Sequence, residues 1–300
     1  MQKYHMVPQC FRFNQKNPGF RLFRPTAGTN VLAFEGASMW RLLLRSVIVL
    51  AGVSGPALAN ETPRKPQAVS SASWAGFYVG VHAGYAWGTA DINTTVGPPI
   101  ACGGGPANCI AIDAVESQPL HPNGFAGGVL AGHNFQSGRF VYGLEGDISG
   151  LTGSASRAQT QVFPIGGCCF TISQKVEADW MMTLRPRIGY AFDNALVYAT
   201  GGLALARLRY IEQATDTAGD IENTDVRRVK TGYALGAGIE YALSGRWSVR
   251  GEYLYANFGR ISADTIASIN YVSPTPLVYS HRVDFSYSTA RVALSYRFGP

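Results

Sequence analysis

The chain of 300 residues is 46% hydrophobic and 15% charged, and no run in it reaches the roughly eighteen apolar residues that a membrane-crossing helix needs, which excludes helical insertion. Its formal charge of +6 comes entirely from residues 1–59, which hold seven Lys/Arg against one Glu and leave 18 basic and 18 acidic residues beyond them. Nucleic-acid binding needs a concentrated basic face, so that class is excluded as well.

Residues 1–38 carry no hydrophobic period. From Met39 the chain reads MWRLLLRSVIVLAGVSGPALANET, a basic start at Arg41 and Arg45, an apolar run from Val47 to Val53, and small residues at Ala57 and Ala59. That is a secretory signal peptide over 39–59, cleaved after Ala59. A signal belongs at the start of translation, so residues 1–38 are expected to be an upstream mis-start or a disordered leader. Residues 60–73, NETPRKPQAVSSAS, are polar and aperiodic and form a flexible linker.

Strict alternation begins at Gly76 with GFYVGVHAGYAWG. Phe77, Val79, Val81, Tyr85 and Trp87 share one side, and Gly80, His82, Gly84 and Ala86 the other. A period of two is that of a strand. Similar segments recur at about 124–136, 140–150, 177–192, 195–210, 229–243, 247–260 and 281–298, eight in all. Their connections alternate. Ser137-Gly138-Arg139, Asp193-Asn194 and Ser244-Gly245-Arg246 are tight hairpins, whereas the others are long loops at about 95–121, 151–176, 211–228 and 261–280.

Charges select one face. Phe140, Tyr142, Leu144 and Ile148 oppose Glu145, Asp147 and Ser149; Trp180, Met182, Leu184, Ile188, Tyr190 and Phe192 oppose Met181, Thr183, Arg185, Arg187 and Gly189. Tyr233, Leu235, Ile239 and Tyr241 oppose Gly236, Gly238 and Glu240, and Trp247, Val249, Tyr253 and Tyr255 oppose Ser248, Arg250 and Glu252. The fifth segment, ALVYATGGLALARLRY, is apolar on both sides and does not declare its facing.

Apolar faces that end in Tyr, Trp and Phe fit aromatic girdles at two membrane interfaces, and glycine, 35 residues, leaves room for paired charges inside. The expected fold is all-β: an eight-stranded antiparallel transmembrane β-barrel over residues 74–300, with short periplasmic turns and long outer loops. The expected lumen set is Glu145, Asp147, Arg185, Arg187, Glu240, Arg250, Glu252, Arg291 and Arg297. Eight strands leave an interior that side chains can fill. A paired structural network is therefore the first reading and a narrow path for ions or small solutes the second.

In an exported chain Cys102, Cys109, Cys168 and Cys169 are disulfide candidates. All three pairings are open. The local Cys102–Cys109 bridge is favoured because GGGPAN can turn the chain back, leaving Cys168 and Cys169 as a vicinal bridge or reduced. No Ser-His-Asp set, HExxH helix or phosphate-cradling loop stands in its required context, and GAGIEY continues a strand. No enzymatic activity, cofactor or metal is expected.

The stretches WAGFYVGVHAGYAWG (74–88), YGLEGDISG (142–150), ATGGLALA (199–206), GAGIEYAL (236–243) and RVALSYRF (291–298) resemble the small outer-membrane β-barrel family that includes the porin-like immunogenic proteins of Gram-negative bacteria. The resemblance implies export to the outer membrane, outer-membrane lipid as surroundings, and a surface-exposed structural role in envelope integrity and contact. It further implies insertion by the barrel-assembly machinery, which reads Val292, Leu294, Tyr296 and Phe298; Gly299-Pro300 then depart from the family's usual aromatic end. Some members bind haem at the surface. Here His121 and His281 fall in or beside outer loops, and no axial-ligand motif accompanies them. Self-association is left open.

Overall fold

The computed structural model describes residues 72–243, 246–270 and 273–298. The expected leader, signal peptide with its Ala57 and Ala59 cleavage site, and most of the linker lie outside the described residues, as do Gly299 and Pro300.

Nine strands follow in chain order: β1 (Gly76–Gly97), β2 (Asn123–Ser137), β3 (Phe140–Leu151), β4 (Ser154–Val162), β5 (Cys169–Phe192), β6 (Ala195–Asp216), β7 (Ile221–Ala242), β8 (Trp247–Ile266) and β9 (Val278–Phe298). They form one antiparallel sheet in the order β1-β9-β8-β7-β6-β5-β3-β2, with β4 beside β5. Strand β1 pairs with β9 on one side, from Phe77–Phe298 to Gly97–Val278, and with β2 on the other, from Gly76–Asn134 to Trp87–Asn123, which closes the sheet on itself. β3 and β4 both pair with β5, from Phe140–Tyr190 up to Val162–Cys169, so they are one crossing broken at Thr152-Gly153. The barrel therefore has eight staves, and closure removes the open sheet edges that lipid could not satisfy.

Two hairpins are two-residue turns. Ser137 pairs with Phe140 across Gly138-Arg139, and Phe192 pairs with Ala195 across Asp193-Asn194. Each turn needs a left-handed residue, which Gly138 (φ 59°) and Asp193 (φ 47°) supply.

The outer connections are shorter than the sequence suggests. β5 begins at Cys169, β6 runs to Asp216, β7 starts at Ile221, β8 ends at Ile266, and β4 occupies much of the stretch expected to be a loop at 151–176. The strands continue well past the outer aromatic belt, and two irregularities hide this in the sequence. Asp179 of β5 and Phe258 of β8 are extra residues, so the pairing register shifts there and the alternation changes phase by one. The first outer connection also holds a helix, α1 (Pro106–Glu116). Pro106 opens it, and Cys109, Ile112 and Glu116 are buried at helical spacing.

Candidate functional site

Between the belts each stave shows bulky apolar side chains outward, among them Val81, Val129, Leu144, Leu184, Ile188, Leu203, Leu235, Ile239 and Val292. Phe77, Phe140, Phe192, Tyr241, Trp247 and Phe298 mark the inner end, and Tyr85, Trp87, Phe125, Tyr233 and Tyr253 the outer. On β1 the belts stand ten residues apart, from Phe77 to Trp87, which matches the roughly 9–11 tilted residues that a strand needs to cross the hydrocarbon. The fifth stave, β6, now declares itself: Val197 and Leu203 face lipid, while Leu196, Tyr198, Ala204 and Ala206 face inward.

Eight of the nine expected lumen side chains meet. Arg185, Arg187, Arg250 and Arg291 stand against Glu145, Asp147, Glu240 and Glu252, four charges of each sign, and none of the eight is more than 4% exposed. Arg185 spans the lumen. Its Nη1 donates to Glu252 Oε1 (2.6 Å) and its Nη2 to Asp147 Oδ2 (2.8 Å) and Glu145 Oε1 (3.1 Å). Arg291 Nη1 donates to Asp147 Oδ1 (3.0 Å) and its Nη2 to Glu252 Oε1 (3.2 Å). Arg250 Nη1 reaches Glu145 Oε2 (2.6 Å), and Arg187 Nη2 reaches Glu240 Oε2 (2.8 Å).

Two tyrosines complete the network, and neither is evident from charge patterning. Tyr78 donates to Glu145 Oε2 (2.7 Å) and accepts from Arg187 Nη1 (3.0 Å); Tyr198 donates to Glu252 Oε2 (3.0 Å) beneath the Arg187 guanidinium, which lies 4.0 Å from its ring centre. Glycine makes this fit. A Cβ at Gly238 would stand 2.6 Å from Tyr198 Oη and 2.7 Å from the Gly251 carbonyl oxygen. The ninth residue, Arg297, makes no ion pair among the described residues and instead lies 4.9 Å over the ring of the fully buried Trp74 at the periplasmic floor. His82 faces the lumen as expected, with Nε2 3.4 Å from Ser149 Oγ.

Above the outer belt the interior is largely apolar, interrupted by a buried polar cluster around Glu212, Glu222 and His281. Ile92, Val176, Leu208, Tyr210, Phe258, Ile261, Val283 and Phe285 fill the rest, and α1 closes part of the mouth. Cys102 and Cys109 form a disulfide with Cα atoms 5.7 Å apart, while Cys168 has a free, exposed thiol, so no vicinal bridge to Cys169 exists. Asp113 of α1 accepts from the Val96 backbone N–H (2.7 Å), and Ser117 Oγ meets the backbone of Thr94 on both sides.

His281, expected in or beside a solvated loop, is buried on β9, with Glu212 of β6, Glu222 of β7 and Glu116 of α1 around it. The alternation of His281, Val283 and Phe285 inward was the available signal. Burial pushes the Glu116 carboxyl well above the usual carboxylate range, and the Glu212 charge adds to the effect.

The side chains expected to form the assembly signal, Val292, Leu294, Tyr296 and Phe298, all lie on the outward side of β9, where Tyr296 packs edge-on against Trp247 at 5.1 Å.

Residues 46–298 match the family model for an outer membrane protein beta-barrel domain. The chain is 31% identical to the 31 kDa outer-membrane immunogenic protein of Brucella melitensis, over 87% of this chain and 100% of the relative. It is 27% identical to the 22 kDa outer membrane protein of Rhizobium leguminosarum bv. viciae, over 72% and 83%. Among solved structures, the outer membrane protein OprG from Pseudomonas aeruginosa aligns over 75% of this chain and 97% of its own, with 13% identity and a TM-score of 0.37. The chain belongs to the outer membrane protein beta-barrel family and is an outer-membrane protein related to the outer-membrane immunogenic proteins of Brucella.

Proposed function

We propose that this barrel is a closed, surface-exposed structural element of the outer membrane, contributing to envelope integrity and to contact with the surroundings through its outer strands and α1. The observation that carries the reading is the lumen network: Arg185 alone joins Glu145, Asp147 and Glu252 across the barrel with no water-accessible surface. An ion would have to break several desolvated pairs to pass, at a cost of several kcal/mol for each charge left uncompensated. Passive transport through a narrow polar path is the competing function. Planar-bilayer recording on refolded protein separates the two: silence is expected, and stable single-channel steps would overturn the closed lumen.

The same pairing leaves none of Glu145, Asp147, Glu240 and Glu252 free to act as an acid or base, which supports a non-enzymatic role. Outward presentation of Val292, Leu294, Tyr296 and Phe298 suits a signal read by the barrel-assembly machinery. Among the described residues, surface haem binding would draw on the exposed His121 beside the first outer connection, and an absorbance titration with haem tests it directly.

A further inference from the structure

The lumen charges between the belts are balanced, but those of the outer chamber are not. Glu116, Glu212, Glu222 and His281 come from α1, β6, β7 and β9, and none is more than 2% exposed. His281 Nδ1 is 3.6 Å from Glu212 Oε2, and its Nε2 is 3.6 Å from Glu222 Oε1. The guanidinium that comes into range, Arg157, makes no ion pair with them among the described residues; its Nη2 donates instead to Gln174 Oε1 (2.6 Å) and the Val115 carbonyl (3.0 Å). Among the described residues no donor meets either carboxylate oxygen of Glu116, Oε1 of Glu212, Oε2 of Glu222 or Nε2 of His281, and Glu116 and Glu212 lie within reach of each other. Buried carboxylates with open lone pairs call for a positive group among them.

We propose that this cluster binds a divalent transition-metal cation, ligated by Glu116, Glu212 and His281 with Glu222 adjacent. One ligand atom from each of the three already lies within 4.8 Å of the others. A tetrahedral zinc shell brings such atoms to about 3.4 Å, so the side chains need to close by at most about 1.4 Å. One imidazole with carboxylates selects zinc and its first-row neighbours over calcium or magnesium, which favour oxygen alone.

The surroundings hold the ligands as metal sites do. Thr94 Oγ1 sits 3.1 Å from His281 Nδ1, and Gln174 Nε2 and Tyr210 Oη both donate to Glu212 Oε2, at 3.0 Å for the glutamine. A cavity of about 210 Å³, lined by Glu222, Tyr279, Asn108, Ile165 and the exposed Cys168, lies beside the cluster and reaches it at Glu222. Because Glu116 ends α1 while the other ligands belong to the wall, bound metal would tie the helix across the barrel mouth.

The test is calorimetric titration of zinc into untagged, chelator-stripped, refolded protein, with α1 amide exchange followed in parallel. One zinc per barrel and slower α1 exchange in zinc are expected. Glu116→Gln, which lies outside the sheet ladder and whose folding is checked by heat-modifiable migration, should weaken binding roughly tenfold or more, and His281→Gln likewise. A double His121→Gln/His133→Gln control, altering exposed surface histidines, should bind as the parent does. No zinc uptake, as expected if a shared proton balances the carboxylates, would overturn the proposal. So would Glu116→Gln binding at parental affinity, or calcium binding as tightly as zinc.

Discussion

The two halves of the barrel obey opposite rules with one continuous sheet. Between the belts the outward face is apolar and the inward face holds Arg185, Arg187, Arg250 and Arg291 with their four acids. Beyond the outer belt the inward face is mostly apolar, with Val176, Leu208, Ile261 and Phe285 around the few buried polar groups Glu212, Glu222 and His281, while Lys175, Glu177, Arg209, Asp225, Arg260 and Asp284 pair outside. The solvent explains the reversal. Lipid accepts only apolar side chains, so the polar residues that alternate with them must find partners inside; water accepts charges, so the same pleat can bury its apolar side as a soluble barrel does.

The largest effect should come from breaking the lower half. Replacing Arg185 with Ala removes the partner shared by Glu145, Asp147 and Glu252, and is expected to cost about 3–5 kcal/mol. Urea unfolding in lipid vesicles measures it. A parental midpoint would mean that these side chains face water.

Next in size is a matched pair on the outward face. Leu184→Arg, near the middle of the lipid-facing span of β5, should cost about 2–4 kcal/mol, whereas Asn223→Arg, outward on β7 above the belt, should stay within about 0.5 kcal/mol. Equal effects would place the membrane boundary elsewhere.

This reversal also sets what was legible in the sequence. Eight staves and the charged lumen could be read because a lipid-facing strand segregates charge from bulk, as in the alternation of Arg185 and Arg187 with Leu184 and Ile188. The outer extensions read as loops because the rule changes sign at the belt, and because Asp179 and Phe258 each shift the phase by one residue. The facing of β6 stayed hidden for a different reason: its inward positions Leu196, Ala204 and Ala206 are as apolar as its outward ones. Tyr78 and Tyr198 were missed because aromatic residues at the ends of a stave look like belt. The outer cluster depends on contacts between α1 and β6, β7 and β9; alternation along β9 signals that His281 is buried, but nothing in the spacing says which acids meet it.

A smaller effect tests the glycine stripe. Gly238→Ala would set a methyl against Tyr198 Oη and the Gly251 carbonyl, and overpacking of this kind costs about 1–3 kcal/mol. Adding Tyr198→Phe to Gly238→Ala should recover part of the loss in the same urea assay, because it removes the crowded oxygen; an unchanged loss would assign the strain to the backbone contact.

The smallest global effect is expected from the Cys102–Cys109 bridge, which closes a separation of seven residues at the start of α1. Cross-linking so short a loop is worth about 2 kcal/mol to the segment it restrains. The barrel is closed independently by the β1–β9 ladder, which runs the full length of both strands. Changing both cysteines to Ser should therefore speed amide exchange across Cys109–Glu116 while the thermal midpoint of the barrel stays in place. Non-reducing peptide mapping of the parent should join Cys102 to Cys109 and leave Cys168 open to alkylation. A fall in the global midpoint of the double mutant would show that the outer chamber and the membrane zone unfold as one unit, and that the boundary drawn at the belt separates two chemistries without separating two stabilities.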